Sequence, residues 1–514
     1  MCHDVRRNVR CGHPSGRAYQ PRMGQAQYVP FKEMESMKRT LLAATLACMG
    51  SSYAADLAFN PATAYTEQST QVNGQRVDYR AYEGIVYVRK PVDAAYQQLN
   101  VYIPAAYFKG GKINGFTAET APIFLPNQIG GYMPAKPGQP GLDKRAGNTP
   151  NAMLVALSKG YVVVSPGARG RTQQHGKAPA AIVDLKAAVR YLRLNDARMP
   201  GNAEKIISNG TSAGGALSVL LGASGNSADY APHLKALGAA DARDDIFAVS
   251  AYCPISILEH ADAAYEWQFN GVNDYQKIQI TQIDYNVERQ LVKGTQTPAQ
   301  QKLSDALKPY FPSYVNNLRL KNAAGQALTL DEKGNGSFKN HVAGYLVQSA
   351  QKALDAGKDL SAQSWLTIRD GKVLAADFDA YARFVGRQKT TPAFDDVALG
   401  SGENQLFGTE QIDKQHFTAF GMAHNTAKDA TRADAHTVRL MNPMHYIGLS
   451  HNAPHWRIRV GTNDRDTSLA IATILATEIA NSGKRVDFAM PWGVPHSGDY
   501  DLDELFVWMD GISR

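Results

Sequence analysis

Cysteine is scarce in this sequence, with four among 514 residues. Cys2, Cys11 and Cys48 lie close to the N-terminus, so the remainder of the chain has only Cys253. A single cysteine can form no internal disulfide, which excludes the class of small secreted domains that disulfides stabilise. It also excludes a zinc site built from several cysteines. The fold must therefore be stabilised by its hydrophobic core.

Long apolar runs are lacking as well. Apolar stretches such as Ile123–Leu125, Val162–Val164 and Leu41–Met49 are short, whereas a membrane-spanning helix needs about 20 apolar residues. The sequence therefore predicts no membrane span. A hydrophobic content of 44% is enough for a large core, which excludes a disordered protein.

Beyond residue 54, the sequence also lacks a basic segment. The formal net charge is +7, but residues 1–54 hold eight Lys or Arg and three Asp or Glu. Residues 55–514 hold 46 basic and 44 acidic residues, which gives a net charge of +2. Without a block of basic residues, binding to nucleic acid is not expected.

Residues 37–54 have the pattern of an export signal. Met37 is followed by Lys38-Arg39, by the apolar stretch Leu41–Met49 and by Ser52-Tyr53-Ala54, a small-x-Ala cleavage site. We therefore predict a signal peptide over 37–54 and an exported protein, periplasmic or extracellular, that begins near Ala55.

Two further interpretations concern this N-terminal part. Residues 1–36 are interpreted as an upstream extension from a misassigned start. A short N-terminal helix is the alternative to a signal peptide. A lipoprotein signal at Cys48 is less favoured, because Thr45 stands where an apolar residue is expected.

Short β-rich runs alternate with helical patterns from about residue 120 onward. This alternation predicts an α/β fold with a mostly parallel, doubly wound sheet covered by helices on both faces. Apolar residues at helical spacing from Ile182 to Leu192 predict a crossover helix. Val86–Arg89 and Leu99–Ile103 predict a leading antiparallel pair. The other predicted strands are Ile123–Leu125, Tyr161–Ser165, Ile206–Asn209, Ile246–Cys253, Arg457–Val460 and Arg485–Met490.

The alternation stops near Pro254 and resumes near Asn442. A segment that long is not a structureless loop in a compact domain. Because the sheet pattern continues on both sides, we predict a core over 55–255 and 442–514 that is interrupted by an inserted lid domain over 256–441.

The motif Gly-x-Ser-x-Gly occurs at Gly210–Gly214, between an apolar strand and a helical run. This context is typical of the turn that presents a nucleophilic serine above the sheet of an α/β-hydrolase fold. The glycines are needed where a Cβ atom would be too crowded. The pattern predicts Ser212 as the nucleophile, with an ordinary Gly/Ser-rich turn as the alternative.

A nucleophilic serine needs a histidine base and an orienting carboxylate, which follow it in the chain order Ser, Asp, His. Asp464 and His496 come directly after the last two predicted strands, on the same sheet edge as Ser212. Asp466 is a rival for the acid, and chain order alone does not separate it from Asp464. We predict Asp464 as the catalytic acid because it is the first Asp after its strand.

The oxyanion hole is expected to combine the backbone N–H of Ala213 with one from the loop after an early strand. That loop, Pro126–Tyr132, contains Gly130 and Gly131. Either glycine is predicted to supply the second donor, and a plain Gly-Gly turn is the alternative.

Four segments together resemble the bacterial tannases: Ser165–Arg171, Gly210–Gly215, Asp464–Ser468 and Pro491–Tyr500. The resemblance covers most of residues 60–514. It implies an α/β-hydrolase core interrupted by a lid domain, and cleavage of galloyl esters and related aromatic esters.

The resemblance also implies a binding site for the acyl ring. A Lys and a Glu of the lid, with the second Asp of the Asp-x-Asp loop, would bond the ring hydroxyls. The matching residues are Lys389, Glu403 and Asp466, with Lys389 in the segment Gln388–Asp395 and Glu403 in Gly402–Asn404.

The leading hypothesis is thus a secreted serine esterase that hydrolyses galloyl esters, with a small aromatic ester as its partner. A feruloyl or chlorogenate esterase is the nearest alternative. An oligopeptidase-type peptidase is less favoured because only ~65 residues precede the sheet after cleavage. A binding protein on an inactive hydrolase scaffold would be expected to lack a triad residue. No residue cluster implies a metal or cofactor.

Overall fold

The computed structural model describes residues 57–143, 147–283, 286–449 and 451–514. The predicted upstream extension (1–36), the signal peptide (37–54) and the cysteines Cys2, Cys11 and Cys48 lie outside these residues, so those interpretations stay predictions. No helix of the described ranges is long and apolar enough to span a membrane.

A nine-stranded sheet forms the centre of the structure, and three two-stranded sheets lie outside it. In chain order the strands of the described residues are β1 (Thr66–Val72), β2 (Gln75–Val86), β3 (Gln98–Pro104), β4 (Pro122–Pro126), β5 (Leu142–Asp143), β6 (Thr149–Pro150), β7 (Val162–Pro166), β8 (Asn202–Thr211), β9 (Ala248–Tyr252), β10 (Asp274–Ile283), β11 (Asn286–Thr295), β12 (Leu366–Arg369), β13 (Lys372–Ala376), β14 (His455–Arg459) and β15 (Arg485–Ala489). The order in the main sheet is β1-β2-β3-β7-β4-β8-β9-β14-β15, and the small sheets are β5-β6, β10-β11 and β12-β13.

The main sheet combines an antiparallel part with a parallel part. The pairs β1-β2, β2-β3 and β3-β7 are antiparallel, whereas β7, β4, β8, β9, β14 and β15 run parallel to one another. Every residue of β4, β7 and β9 is buried, as expected for parallel strands covered on both faces. The predicted α/β-hydrolase fold with a mostly parallel sheet is confirmed.

Helices cover both faces of this sheet. The predicted crossover helix is α2, whose apolar residues Ile182, Val189 and Leu192 are fully buried. In chain order the helices of the described residues are α1 (Ala152–Ser158), α2 (Ala180–Leu194), α3 (Ala213–Ala223), α4 (Ala231–Ala236), α5 (Leu258–Phe269), α6 (Pro298–Leu307), α7 (Tyr310–Leu318), α8 (Ser337–Asp355), α9 (Phe378–Val385), α10 (Gly402–Leu406), α11 (Ala419–Ala423), α12 (Ala435–Leu440), α13 (Leu469–Asn481) and α14 (Leu502–Ser513).

Residues 253–454, here called the inserted segment, separate two strands that pair directly. Ser250 of β9 lies opposite Arg457 of β14 in a parallel ladder, so the chain leaves the sheet after β9 and returns to the adjacent position. The segment holds α5 to α12 and two hairpins, β10-β11 and β12-β13. Its aromatic core includes Trp267, whose ring centroid lies 5.1 Å from that of Phe311 and 4.8 Å from that of Phe378. Its status as a separate lid domain stays a prediction.

The leading antiparallel pair differs from the sequence expectation. The strand that pairs with β3 is β2, which ends at Val86, so only the first residue of the predicted strand Val86–Arg89 belongs to it. The backbone N–H of Arg89 donates instead to the carbonyl oxygen of Gly238 (3.1 Å). These residues leave the sheet because their backbone groups bond to the turn after α4.

Candidate active site

Ser212 occupies a strained turn between β8 and α3. Its backbone angles are φ 61° and ψ −121°, a conformation that non-glycine residues rarely adopt and that concentrates at functional sites. A Cβ atom on Gly210 would lie 2.6 Å from Nδ2 of Asn127, and one on Gly214 would lie 2.7 Å from the carbonyl oxygen of Ile129. The predicted crowding at both glycines is therefore present, and the turn has the geometry of a nucleophile elbow.

The backbone of Ser212 is held by the adjacent strand. Its N–H donates to the carbonyl oxygen of Tyr252 (3.0 Å), and its own carbonyl oxygen accepts from the N–H of Ile255 (3.2 Å). These two bonds tie the strained turn to the end of β9, so that the surrounding structure maintains its unusual conformation.

His496 and Asp464 contact each other at the same sheet edge. The Nδ1 atom of His496 lies 2.8 Å from Oδ2 of Asp464, whose side chain is fully buried. The other oxygen of Asp464 accepts the backbone N–H of Asp466 (2.9 Å). With Nδ1 as the donor to Asp464, the Nε2 atom of His496 is left as the proton acceptor.

The rival acid Asp466 lies farther from the imidazole. Its Oδ2 atom is 3.8 Å from Nδ1 of His496, which is beyond hydrogen-bonding distance. Of the two acids that the chain order leaves open, only Asp464 is placed to orient the ring. Burial lowers the pKa of His496, but Asp464, Cys253 and Asp466 raise it, and the net result is a pKa well above the ordinary value.

The loop that carries His496 packs directly on the serine turn. A Cβ atom on Gly498 would lie 2.9 Å from Cβ of Thr211, the residue before Ser212. On its other side the loop contacts the acid loop, because the N–H of Asn463 donates to the carbonyl oxygen of Val494 (3.0 Å). The loop of His496 therefore contacts both the serine turn and the acid loop.

Cys253 is a neighbour of the site that sequence reasoning missed. Its Sγ atom lies 3.9 Å from Nε2 of His496 and donates to the carbonyl oxygen of Ser497 (3.3 Å). Burial raises the pKa of its thiol, although His496 and the backbone of Ser212 act against this rise. Potential ligand atoms of Cys253, Asp464 and His496 lie within 4.8 Å of one another. Only the position of Cys253 directly after a central strand could have indicated that it lies next to the site.

The loop after β4 is fixed against the serine turn by Asn127. The Nδ2 atom of Asn127 donates to the carbonyl oxygens of Asn209 and Gly214 and to Oγ of Ser218, each at 3.1 Å. Sequence reasoning missed this buried amide, whose only signal was a polar residue directly after an apolar strand.

The predicted oxyanion donors lie on this loop and on α3. The backbone N–H groups of Gly130 and Gly131 have no acceptor among the described residues. Ala213 is the first residue of α3, so its N–H has no partner within the helix either. These groups are available to a ligand oxygen, and the choice between Gly130 and Gly131 stays open.

Lys389 lies close to the acid loop. Burial raises the pKa of Asp466, but His496, Lys389 and a hydrogen bond from Gln388 lower it more, so the carboxylate is favoured. The buried hydroxyl of Tyr265 accepts the backbone N–H groups of Gln388 and Lys389, each at 3.0 Å, and donates to the carbonyl oxygen of Arg465 (2.9 Å). Tyr265 therefore positions Lys389 relative to Asp466, a link that no sequence pattern predicts.

Glu403 lies on the short helix α10, in different surroundings from Lys389. Burial raises the pKa of Tyr132, and the charge of Glu403 raises it further. Burial lowers the pKa of Arg171, and the charge of Glu403 acts against this decrease. The structure therefore places Glu403 near the residues that follow the Gly130-Gly131 pair, whereas Lys389 is near enough to Asp466 to lower its pKa.

The chain is similar to a protein family and to several proteins of known structure. Residues 141–298 match the BD-FAE family. A tannase from Fusobacterium nucleatum is 50% identical, with 89% of this chain and 100% of that chain covered at a TM-score of 0.85. A tannase from Lactobacillus plantarum is 46% identical, with 89% and 99% covered at a TM-score of 0.84. A tannin acyl hydrolase solved in complex with ethyl gallate is 47% identical, with 89% and 99% covered at a TM-score of 0.83. No curated protein matches the chain.

The likeness extends over nearly the whole length of these structures. An identity of 46% to 50% across 89% of the chain includes both the main sheet and the inserted segment. The chain therefore belongs to the bacterial tannases, and it is a carboxylic ester hydrolase with the α/β-hydrolase fold.

Proposed function

We propose that the protein hydrolyses galloyl esters through a triad of Ser212, His496 and Asp464. The observations that carry this proposal are the strained elbow of Ser212, against which the loop of His496 packs, and the 2.8 Å contact between Nδ1 of His496 and the buried carboxylate of Asp464. Membership of the tannase family supports the substrate class, since one relative was solved with ethyl gallate.

The reaction proceeds in two halves. The Nε2 atom of His496 takes the proton from Oγ of Ser212 as Oγ attacks the ester carbonyl carbon. The oxyanion accepts hydrogen bonds from the N–H of Ala213 and that of Gly130 or Gly131. The imidazolium then protonates the departing alcohol, which leaves an acyl-enzyme.

Water completes the cycle. His496 removes a proton from the water as it attacks the acyl carbonyl, and the C–O bond to Ser212 breaks with return of the proton to Oγ. Gallic acid is released. Asp464 stays ionised throughout and stabilises the imidazolium in both halves.

We assign the ring hydroxyls of the acyl group to Lys389, Glu403 and Asp466. The ammonium of Lys389 and the carboxylates of Glu403 and Asp466 match hydroxyl groups as donor and acceptors. A substrate without ring hydroxyls would leave these groups desolvated and unpaired, at a cost of about 1–3 kcal/mol each.

The experiment that tests this function is steady-state kinetics on methyl gallate, methyl 3,4-dihydroxybenzoate, methyl benzoate and methyl ferulate. We expect the highest kcat/KM for methyl gallate and a very low one for methyl benzoate. A higher kcat/KM for methyl ferulate would make the feruloyl-type esterase the better assignment.

Export is also part of the proposal, and it is supported by the signal pattern over 37–54. Mass spectrometry of protein recovered from outside the cytoplasm should find a chain that begins near Ala55. Recovery of a chain that still carries residues 1–36 would contradict both the cleavage site and the proposed start.

A further inference from the structure

Arg171 connects the loop after β4 to the inserted segment. Its Nε atom donates to the carbonyl oxygen of Gly131 (2.7 Å), and its backbone N–H donates to the carbonyl oxygen of Tyr132 (2.8 Å). Its NH1 group donates to Oε1 of Gln405 on α10 (2.5 Å). One side chain therefore spans from the predicted oxyanion loop to the helix that carries Glu403.

The contact with α10 is close-packed. A Cβ atom on Gly402 would lie 3.0 Å from Cζ and 3.1 Å from Nε and NH2 of Arg171, so the guanidinium lies against the backbone of the first residue of α10. Burial lowers the pKa of Arg171, and the charges of Glu403 and Asp413 counteract part of this change. The guanidinium stays charged at neutral pH because its ordinary pKa exceeds 12.

A second cation reinforces the connection. The Nζ atom of Lys177 donates to the backbone carbonyl oxygen of Arg171 (2.8 Å) and to Oδ1 of Asp413 (2.6 Å). The same Asp413 carboxylate accepts from Nε2 of Gln405 (3.2 Å). Both the backbone and the side chain of Arg171 are thus linked to the stretch that contains α10.

We propose that Arg171 is a positioning residue that sets the oxyanion loop and the Glu403 carboxylate relative to each other. This inference rests on the proposed function. Its bond to Gly131 restricts the loop that polarises the ester carbonyl, and its bond to Gln405 restricts the helix that contacts the acyl ring. Arg171 therefore makes the site selective for esters in which a defined distance separates the ring from the ester carbonyl.

The planar guanidinium suits this role better than an ammonium. Nε and NH1 of Arg171 point in fixed directions within one plane, so both acceptors are held at once. The ammonium of a lysine is a point charge on a flexible stem and would not hold both Gly131 and Gln405 in place. Arg171→Lys therefore tests the geometry while the charge is kept.

The experiment compares two esters across four variants. Methyl gallate requires both the oxyanion loop and the ring site, whereas p-nitrophenyl acetate requires only the oxyanion loop. For Arg171→Ala we expect kcat/KM to fall ~100-fold on methyl gallate and ~10-fold on p-nitrophenyl acetate, as expected for loss of charged hydrogen bonds. Arg171→Lys should also lose more activity on methyl gallate than on p-nitrophenyl acetate. Each loss should be smaller than in Arg171→Ala.

The other two variants address the α10 contact alone. Gln405→Leu removes the acceptor on α10 and leaves the bond to Gly131, and Gly402→Ala displaces the guanidinium from the helix. Both variants should reduce kcat/KM on methyl gallate ~5–10-fold more than kcat/KM on p-nitrophenyl acetate. These two variants, together with Arg171→Lys, carry the test if Arg171→Ala does not fold, as judged by circular dichroism.

Arg190→Ala is the matched control. Arg190 is also half-buried, and its Nε atom donates to Asp244 (2.8 Å), which precedes β9, whereas Ser212 bonds to the other end of that strand. We expect it to lower Tm and to leave the ratio of the two kcat/KM values unchanged.

Two outcomes separate this inference from the proposed function. Equal losses on the two esters for Arg171→Lys and Gln405→Leu would overturn the positioning role, provided that the wild type cleaves methyl gallate. A wild type that does not cleave methyl gallate would instead overturn the proposed function.

Discussion

The two parts of the molecule that meet at the site place their residues by different means. The main sheet supplies Ser212, Asp464 and His496, each within seven residues of the end of a parallel strand. The inserted segment supplies Lys389 and Glu403, which lie outside the main sheet and are proposed to bind the acyl ring. Topology alone thus brings the proposed reacting groups to one edge, because parallel strands end on the same side.

The contacts of the inserted segment depend on individual buried polar groups. Arg387 donates to Glu266 in a fully buried ion pair. The hydroxyl of Tyr265 accepts the backbone N–H groups of Gln388 and Lys389, which follow Arg387 in the chain. Loss of one partner from such a pair leaves a buried charge uncompensated, which is costly. The proposed reaction chemistry thus depends on the fold, whereas the proposed substrate selection depends on specific networks of buried polar groups.

The largest expected effect is that of Ser212→Ala. We expect turnover of every ester to fall by several powers of ten, because the variant lacks the attacking oxygen. A sulfonyl fluoride should label Ser212 in the wild type, as detected by peptide mass spectrometry. Retention of full activity would contradict the proposal that the sheet supplies the reacting group.

The next effect distinguishes the two acids of the loop after β14. Asp464→Asn should reduce kcat by ~10⁴ on all esters, because the amide favours the wrong imidazole tautomer. Asp466→Asn should act mainly on esters with ring hydroxyls. A collapse of kcat on p-nitrophenyl acetate in Asp466→Asn, with Asp464→Asn active, would reverse the two assignments.

A smaller and more selective effect is expected in the inserted segment. Lys389→Ala should lower kcat/KM for methyl gallate by at least ~10-fold, with a much smaller loss on p-nitrophenyl acetate, because only the gallate carries ring hydroxyls. Equal losses on both esters would mean that Lys389 supports the fold rather than the ring. Lys352→Ala, at an exposed helical position, serves as the control for loss of a lysine.

The smallest effect concerns pH. His496 must be neutral at Nε2 to act as a base, and the carboxylate of Asp466 contributes to raising its pKa. Without that charge the pKa of His496 falls, so the imidazole stays neutral at lower pH. The acidic limb of the kcat/KM profile for p-nitrophenyl acetate should therefore shift to lower pH in Asp466→Asn. A shift to higher pH would contradict the electrostatic link between the two residues.

Much of the fold followed from local pattern. The strands that became β4, β7, β9, β14 and β15 were predictable because apolar runs of strand length recur between helical periods. The strand before β3 was misplaced, since nothing in Val86–Arg89 indicates that its backbone bonds to the turn at Gly238. The strand β1 (Thr66–Val72) was missed because six of its seven residues are at least partly exposed and it carries no apolar face.

By itself, the sequence determined where the serine turn and the proposed acid and base lie in the chain, because strand-end motifs of a few residues encode them. Only the tertiary structure separated Asp464 from Asp466, by a difference of 2.8 Å against 3.8 Å from the imidazole. It also revealed Cys253 beside His496, Asn127 within the predicted oxyanion loop, and Arg171 between that loop and α10. The physical reason is that these contacts join residues far apart in the chain through single side-chain atoms, for which a linear pattern contains no periodic signal.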